Sequence, residues 1–242
     1  MRDIPYREVL ESLLFLATRT RPDLSTAVSM LGKYQQAPMI EHWKSMKAVI
    51  RYLVGMLDYG VLLPSGQEAL LEASSDADWT RDHHKRKSRS GYLITVAGGP
   101  VVSASRLQTL TAHSTTEAEF ISLVHCVREM HWIRATMAEL NVYQAAPAIL
   151  NQDNLGAICW TNEVQGLRKV KHIGIRYHYV RDAVDSKTLQ VEFIASTENK
   201  ADGLKKVFVT AYFEIYRSGL LFLRNFQPRP IKEAFLDGFE RV

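Results

Sequence analysis

The chain has 242 residues, 46% of them apolar and 23% charged, with two cysteines and a formal net charge of +4. That is globular composition; it excludes a disordered or fibrous chain and leaves room for one large domain or two small ones. Two cysteines exclude a disulfide scaffold and a four-cysteine zinc site, and so small a net charge says little about partners. The longest stretch without Asp, Glu, Lys or Arg is Ser90 to Ser105. A membrane span needs about 18 apolar residues, so no membrane association is expected. The N-terminus, Met1-Arg2-Asp3-Ile4-Pro5-Tyr6, lacks the apolar core of a secretion signal, and the expectation is a soluble intracellular protein.

Three helices are expected first. Tyr6, Leu10, Leu13, Leu14 and Ala17 recur at helical spacing and stop before Pro22. Leu24, Ala27, Val28 and Leu31 repeat the pattern, ending near Gly32. Trp43, Met46, Ile50 and Leu53 make a third stripe, closed by Gly55. Pro64-Ser65-Gly66 then marks a boundary, which gives a helical segment over 1–64, an α/β domain over 65–206 and a partly helical tail over 207–242. In the middle part the spacing predicts a strand over Leu70–Trp79. A hairpin over Tyr92–Ala97 and Val101–Ser105 turns at Gly98-Gly99-Pro100. Ser114-Thr115-Thr116-Glu117 has the spacing of a capping box and opens a helix reaching about Leu140. A strand over Ala148–Gln152, a basic helix over Arg168–Val184, a strand over Leu189–Ile194 and a short helix over Asn199–Lys206 complete the order.

The chemistry sits on acids at the ends of these elements. Leu123, Val127, Met130, Ile133 and Met137 form the core stripe of the long helix, and four residues back along it stands Glu119. A carboxylate at the buried end of an apolar stripe is costly unless it is paired or holds a cation. Asp76 ends a strand, Asp153 follows one, and Asp202 sits on the last short helix. Each alone reads as a turn or cap residue; converging at one sheet edge, the four suit hard divalent cations and phosphoryl chemistry. Basic residues cluster twice, between Arg81 and Arg106 and between Gln165 and Arg181. Either cluster alone reads as a solvated face, and the two together as a phosphate-binding surface.

The motifs Ser75-Asp76-Ala77-Asp78-Trp79, Arg86-Lys87-Ser88, Ser90-Gly91-Tyr92 and Ser114-Thr115-Thr116-Glu117-Ala118-Glu119-Phe120 resemble the ribonuclease H domain of copia-type LTR retrotransposon Pol polyproteins. Asp153-Asn154, Lys171-His172-Ile173, Ile175-Arg176-Tyr177-His178 and Ala201-Asp202 follow in the same order. Upstream, Thr20-Arg21-Pro22-Asp23, Glu41-His42-Trp43-Lys44 and Leu57-Asp58-Tyr59-Gly60 resemble the segment between the reverse-transcriptase thumb and ribonuclease H. The resemblance runs from about Tyr6 to Leu221.

The resemblance implies a ribonuclease H-like α/β fold: a mixed five-stranded sheet flanked by helices, preceded here by a small all-helical segment. It implies a metal-dependent endonuclease that cleaves the RNA strand of an RNA–DNA hybrid. The catalytic and metal-binding acids would be Asp76, Glu119, Asp153 and Asp202, holding two Mg²⁺ ions for which Mn²⁺ can substitute. Asp78 is the tempting wrong choice for the first acid. Arg86, Lys87, Ser88, Lys171, His172, Arg176, His178 and Arg181 would contact the nucleic acid. The partners implied are the hybrid and the polymerase portion of the same polyprotein; the setting implied is the cytoplasm, in a virus-like particle, or the nucleus. The chain departs from the family pattern at Gly174, where an acid is usual, and at Gly203, where a β-branched residue is usual. Those departures leave open a second reading, a catalytically silent nucleic-acid-binding remnant. Nothing in the pattern assigns residues 222–242.

Overall fold

The computed structural model describes residues 4–64, 68–79, 87–162, 174–205 and 210–223. Helix α1 (Tyr6–Arg19) buries Tyr6, Leu10, Leu13 and Ala17, successive positions of one helical face. It stops short of Pro22, whose ring disfavours helical geometry at Arg21. A 3-10 turn, Pro22–Leu24, leads into α2 (Ser25–Leu31). Helix α3 (Ile40–Gly55) opens with the Met39 amide donating to His42 Nδ1. Its Trp43 and Met46 pack with the α1 stripe and with Leu24, Val28 and Leu31 into a small core. Arg21 and Asp23 form a buried bidentate pair at 3.0 and 2.8 Å. Tyr52 donates to Asp23 at 2.7 Å, and Arg21 reaches the Met56 carbonyl at 3.1 Å, so the pair ties the α1–α2 junction to the far end of α3.

After a two-residue strand β1 (Tyr59–Gly60), strands β2 (Leu71–Asp78), β3 (Arg89–Val96) and β4 (Gly99–Leu107) form an antiparallel meander. The hairpin turns at Ala97 and Gly98, with φ of 52° and 78°, the left-handed pair that matches strand twist in a tight turn. The turn therefore falls one residue before the expected one, and Gly99 and Pro100 already belong to β4. Helix α4 (Thr115–Glu139), strand β5 (Ala148–Gln152), helices α5 (Leu155–Asn162) and α6 (Gly174–Asp185) and strand β6 (Leu189–Phe193) follow. The sheet order is β4-β3-β2-β5-β6, with β5 parallel to β2 and β6 parallel to β5. An antiparallel meander continued by two parallel crossovers is the ribonuclease H-like arrangement. Helix α7 (Asp202–Lys205), helix α8 (Thr210–Ser218) and strand β7 (Phe222–Leu223), which pairs antiparallel with β1, end the described chain.

One face of the sheet carries the main core, where Leu71, Tyr92, Ile94 and Leu150 meet Phe120, Leu123, Val127 and Met130 of α4 and Tyr177 and Val180 of α6. On the other, Leu93 packs with Leu204, Leu220 and Leu221. Covered on both faces, β2 is buried along nearly its whole length. At the start of α4, Ser114 Oγ accepts from the Glu117 amide at 3.1 Å, but the Glu117 carboxylate takes the His113 amide at 2.8 Å; the expected reciprocal box closes one residue early. Helix α5 was not anticipated, although Asn154 caps it by accepting from the Ala157 amide at 3.0 Å. Arg168–Ile173 of the expected basic helix lie outside the described residues. Among the described residues no helix is long and apolar enough to cross a membrane.

Gly203 has a packing reason. A Cβ there would lie 2.5 Å from the ring of Tyr216 on α8, and Thr26 of α2 donates to the Gly203 carbonyl at 2.8 Å. Gly203→Val should therefore destabilise the chain by about 1–3 kcal/mol through overpacking, despite the better helix propensity of a residue with a side chain. Adding Tyr216→Ala should recover part of that loss by making room. Strictly additive penalties in thermal melts of the two single mutants and the double mutant would show that the ring and Gly203 do not share the space.

Candidate metal centre

Asp76 stands at the penultimate turn of the pleat of β2 and is fully buried. Its Oδ1 accepts from the Ala77 amide at 2.7 Å and from Lys205 Nζ at 2.5 Å. Ser122 of α4 donates to the Asp76 carbonyl at 2.7 Å and to that of Gly91 at 3.3 Å, which seats the helix on β2. Glu119, one turn earlier on α4, is thereby turned toward Asp76. Strand β5, parallel to β2 and beside it, delivers Asp153 just past its end. Gln152 holds that exit: its Oε1 accepts from the Asp153 and Asn154 amides at 2.8 and 3.1 Å, and its Nε2 donates to Ser75 Oγ at 3.2 Å. Asn199 donates to the Ser75 carbonyl at 3.0 Å and accepts from the Ala201 amide at 3.0 Å, bringing the start of α7 to the same strand end.

Asp76, Glu119 and Asp153 each offer a carboxylate oxygen, and these oxygens all lie within 4.8 Å of one another. Asp202 stands outside this trio; its Oδ1 is 3.2 Å from Lys205 Nζ, which bridges it to Asp76. Asp78 ends β2 opposite Arg89 and does not join the trio. The electrostatics fit a place built for a cation. Burial, then the Asp76 carboxylate, pushes the Glu119 carboxyl up to about 10. Burial also lifts Asp76, and Lys205 pulls it back, so that it settles at about 6. Burial opposes the charge on Lys205, but Asp76, Asp202 and Glu119 outweigh it and keep the ammonium charged far above its ordinary range. Asp76 Oδ2 and Glu119 Oε2 are buried with no hydrogen-bond partner. Buried carboxylate oxygens left without a partner are what a hard divalent cation would satisfy, displacing the proton that burial holds on Glu119, and the trio can hold one.

The expected nucleic-acid contacts scatter. Arg86, Lys171 and His172 lie outside the described residues. Lys87 is half-buried and donates to the Thr109 carbonyl at 2.8 Å. Ser88 is fully buried, its carbonyl accepting from the Gln108 amide; the loop turns inward one residue before β3, so Ser88 offers no surface to a phosphate. On α6, Tyr177, Val180 and Ala183 face the core. His178 is exposed, Arg181 pairs with Asp185 at 3.3 Å, and Arg176 is half-buried with Nη1 unpartnered. Ser122, Gln152 and Asn199 were not anticipated. Gln152 had a signal, because it falls on the inward face that β5 shares with Ala148 and Leu150.

No family model matches the chain. It is 36% identical over 215 residues to the retrovirus-related Pol polyprotein from transposon TNT 1-94 of Nicotiana tabacum, covering 89% of this chain and 16% of that protein. It is 35% identical over 209 residues to that from transposon RE2 of Arabidopsis thaliana, covering 86% and 14%. The structure of LC11-RNase H1, isolated from compost, aligns with 56% of this chain and 92% of its own at a TM-score of 0.44 and 13% identity. The chain thus spans about one sixth of the length of the transposon proteins it matches. With that likeness running through both the helical part and the acid-bearing sheet, the chain belongs to the retrovirus-related Pol polyproteins of transposons.

Proposed function

We propose that this chain is the ribonuclease H portion of a copia-type Pol polyprotein and hydrolyses the RNA strand of an RNA–DNA hybrid. The observation that carries this reading is the meeting of Asp76, Glu119 and Asp153, with two buried oxygens left unpartnered among them. Carboxylate oxygens suit Mg²⁺ or Mn²⁺. Asp76, Glu119 and Asp153 would hold the cation, and Asp202 completes the acid set beside them. When bound, such cations activate water as a nucleophile and stabilise the leaving oxygen. The chain's own work is to fix the acids: Ser122 sets the height of α4, Gln152 the exit of β5, and Asn199 the approach of α7. Selection of the RNA strand would rest on its 2′-hydroxyls. The polymerase portion of the polyprotein would be its partner, in the cytoplasm within a particle.

The test is a labelled hybrid incubated with the chain in Mg²⁺ or in EDTA. RNA-strand cleavage in Mg²⁺ alone supports the proposal; binding without cleavage in either buffer supports the silent remnant. Gly203 lends that second reading little, because the Tyr216 ring fills the place of a side chain.

Lys87, Arg176 and Arg181 should contribute phosphate contacts that position the hybrid without reading its sequence. The exposed Arg181–Asp185 pair is no obstacle, since such pairs are worth about 0–1 kcal/mol. Replacing all three by Ala should weaken hybrid binding and flatten its salt dependence by at most about 0.9 in slope per lost contact. An unchanged slope in filter-binding titrations would leave these residues as an ordinary solvated face.

A further inference from the structure

The acid cluster is lopsided. Asp76, Glu119 and Asp153 offer oxygens within 4.8 Å of one another, whereas Asp202 stands outside that trio and is joined to Asp76 by a lysine. Lys205 Nζ lies 2.5 Å from Asp76 Oδ1 and 3.2 Å from Asp202 Oδ1, and its side chain is only 16% exposed. It follows Asp202 by three residues on α7, the spacing that sets two side chains next to each other on a helix. Its partner Asp76 lies 129 residues away in sequence. The ammonium therefore fills the gap between these two carboxylates, while Asp76 Oδ2 and Glu119 Oε2 stay buried with no hydrogen-bond partner.

This inference rests on the metal-dependent reading given above. We infer that Lys205 is a resident cation of the site, standing where Asp76 and Asp202 would otherwise share a divalent ion. The chain accordingly takes one divalent ion, at Asp76, Glu119 and Asp153, and takes a second only when Lys205 is displaced or removed. Two physical points carry this. A divalent ion of magnesium's size binds carboxylate oxygen at about 2.0–2.1 Å, and the Asp76 oxygen on that side already accepts from both the lysine and the Ala77 amide. A second ion placed there would also sit against a like charge in a poorly solvated position, where Coulomb repulsion is strong. Lys205 differs from a surface ion pair in being enclosed and in binding two acids at once.

Counting ions tests it without reference to turnover. The full chain, its Lys205→Met variant and its Lys205→Arg variant are titrated with Mn²⁺, with bound ion counted by calorimetry and by the paramagnetic resonance of free Mn²⁺. The expected count is one ion for wild type, two for Lys205→Met and one for Lys205→Arg. In EDTA the Met variant should melt below wild type, and Mn²⁺ should raise its melting temperature more than it raises that of wild type. Should Lys205→Met fail to fold, Lys205→Gln supplies the neutral variant, with polar hydrogens left for the two carboxylates, and its expected count is also two. Two ions in wild type, or one ion in wild type and in the neutral variants alike, overturn the inference and leave the nuclease reading standing. No Mn²⁺ bound by any of them overturns the metal centre itself, and this inference with it.

Discussion

Asp153→Asn should abolish cleavage of the hybrid's RNA strand while leaving the fold intact. The reduction expected is more than about a hundredfold, since even the outer partners of a metal ligand cost 10–100-fold when lost. The fold should be spared because the backbone at this position is held by Gln152 through the Asp153 and Asn154 amides. The Asp153 carboxylate itself makes no hydrogen bond among the described residues, so an amide of the same shape leaves nothing broken. Asp78→Asn provides the contrast: that residue lies two positions from Asp76 and outside the trio, and its replacement should leave cleavage near wild type. Full cleavage by Asp153→Asn, with an unchanged melting curve, would remove Asp153 from the site.

A second large effect should appear without any substrate. Glu119 is held up to about 10 by burial and by the neighbouring Asp76 and Asp153 carboxylates, whereas in the unfolded chain a glutamate ionises near 4.3. Between those values the folded chain keeps a proton that the unfolded chain releases. The associated stability is fully present below about pH 4.3 and is lost as pH rises toward about 10. In EDTA the stability should fall with rising pH, with a slope approaching about 1.4 kcal/mol per unit, the figure for one proton. Asp76, lifted to about 6, adds to the fall in the same direction up to about that pH. Glu119→Gln should flatten most of the dependence and melt above wild type at pH 8. Saturating Mg²⁺ should restore wild type by mass action, about 2.7 kcal/mol at a hundred times its dissociation constant. Denaturant titrations at several pH values check this, and a flat profile in EDTA would mean that the acids do not crowd one another.

The sequence made some of this site plain and hid the rest, and the division follows contact range. Glu119 was legible because its stripe is local: Leu123, Val127 and Met130 are all buried in line with it. Asp76 and Asp153 were legible as acids at strand ends, and the parallel pairing of β2 with β5 is what brings them together. Lys205 was visible only as a neighbour of Asp202, since nothing in the helical spacing of α7 says that Asp76 stands opposite. Ser122 and Asn199 were hidden for the same reason, each touching carbonyls far away in sequence. Helix α5 was missed because its apolar residues follow no clear stripe; Ala157 and Thr161 alone are buried along it. For Ser88 the expectation came from the resemblance of the Arg86-Lys87-Ser88 motif, whereas the residue itself is buried at the packed entrance of β3.

The contacts at Gly203 bear on what counts as the smallest working unit of this protein. The peptide beside Asp202 is gripped by Thr26 from the helices before the sheet and roofed by Tyr216 from the helix after it. Both lie beyond the stretch that supplies the five strands and the four acids. A piece trimmed to that stretch would keep every acid and the strands and long helix that place three of them, yet would lose what steadies the fourth. On the proposed nuclease reading, the working unit is wider than the sheet: a lineage that shed its leading helices would fall silent with its acidic residues untouched.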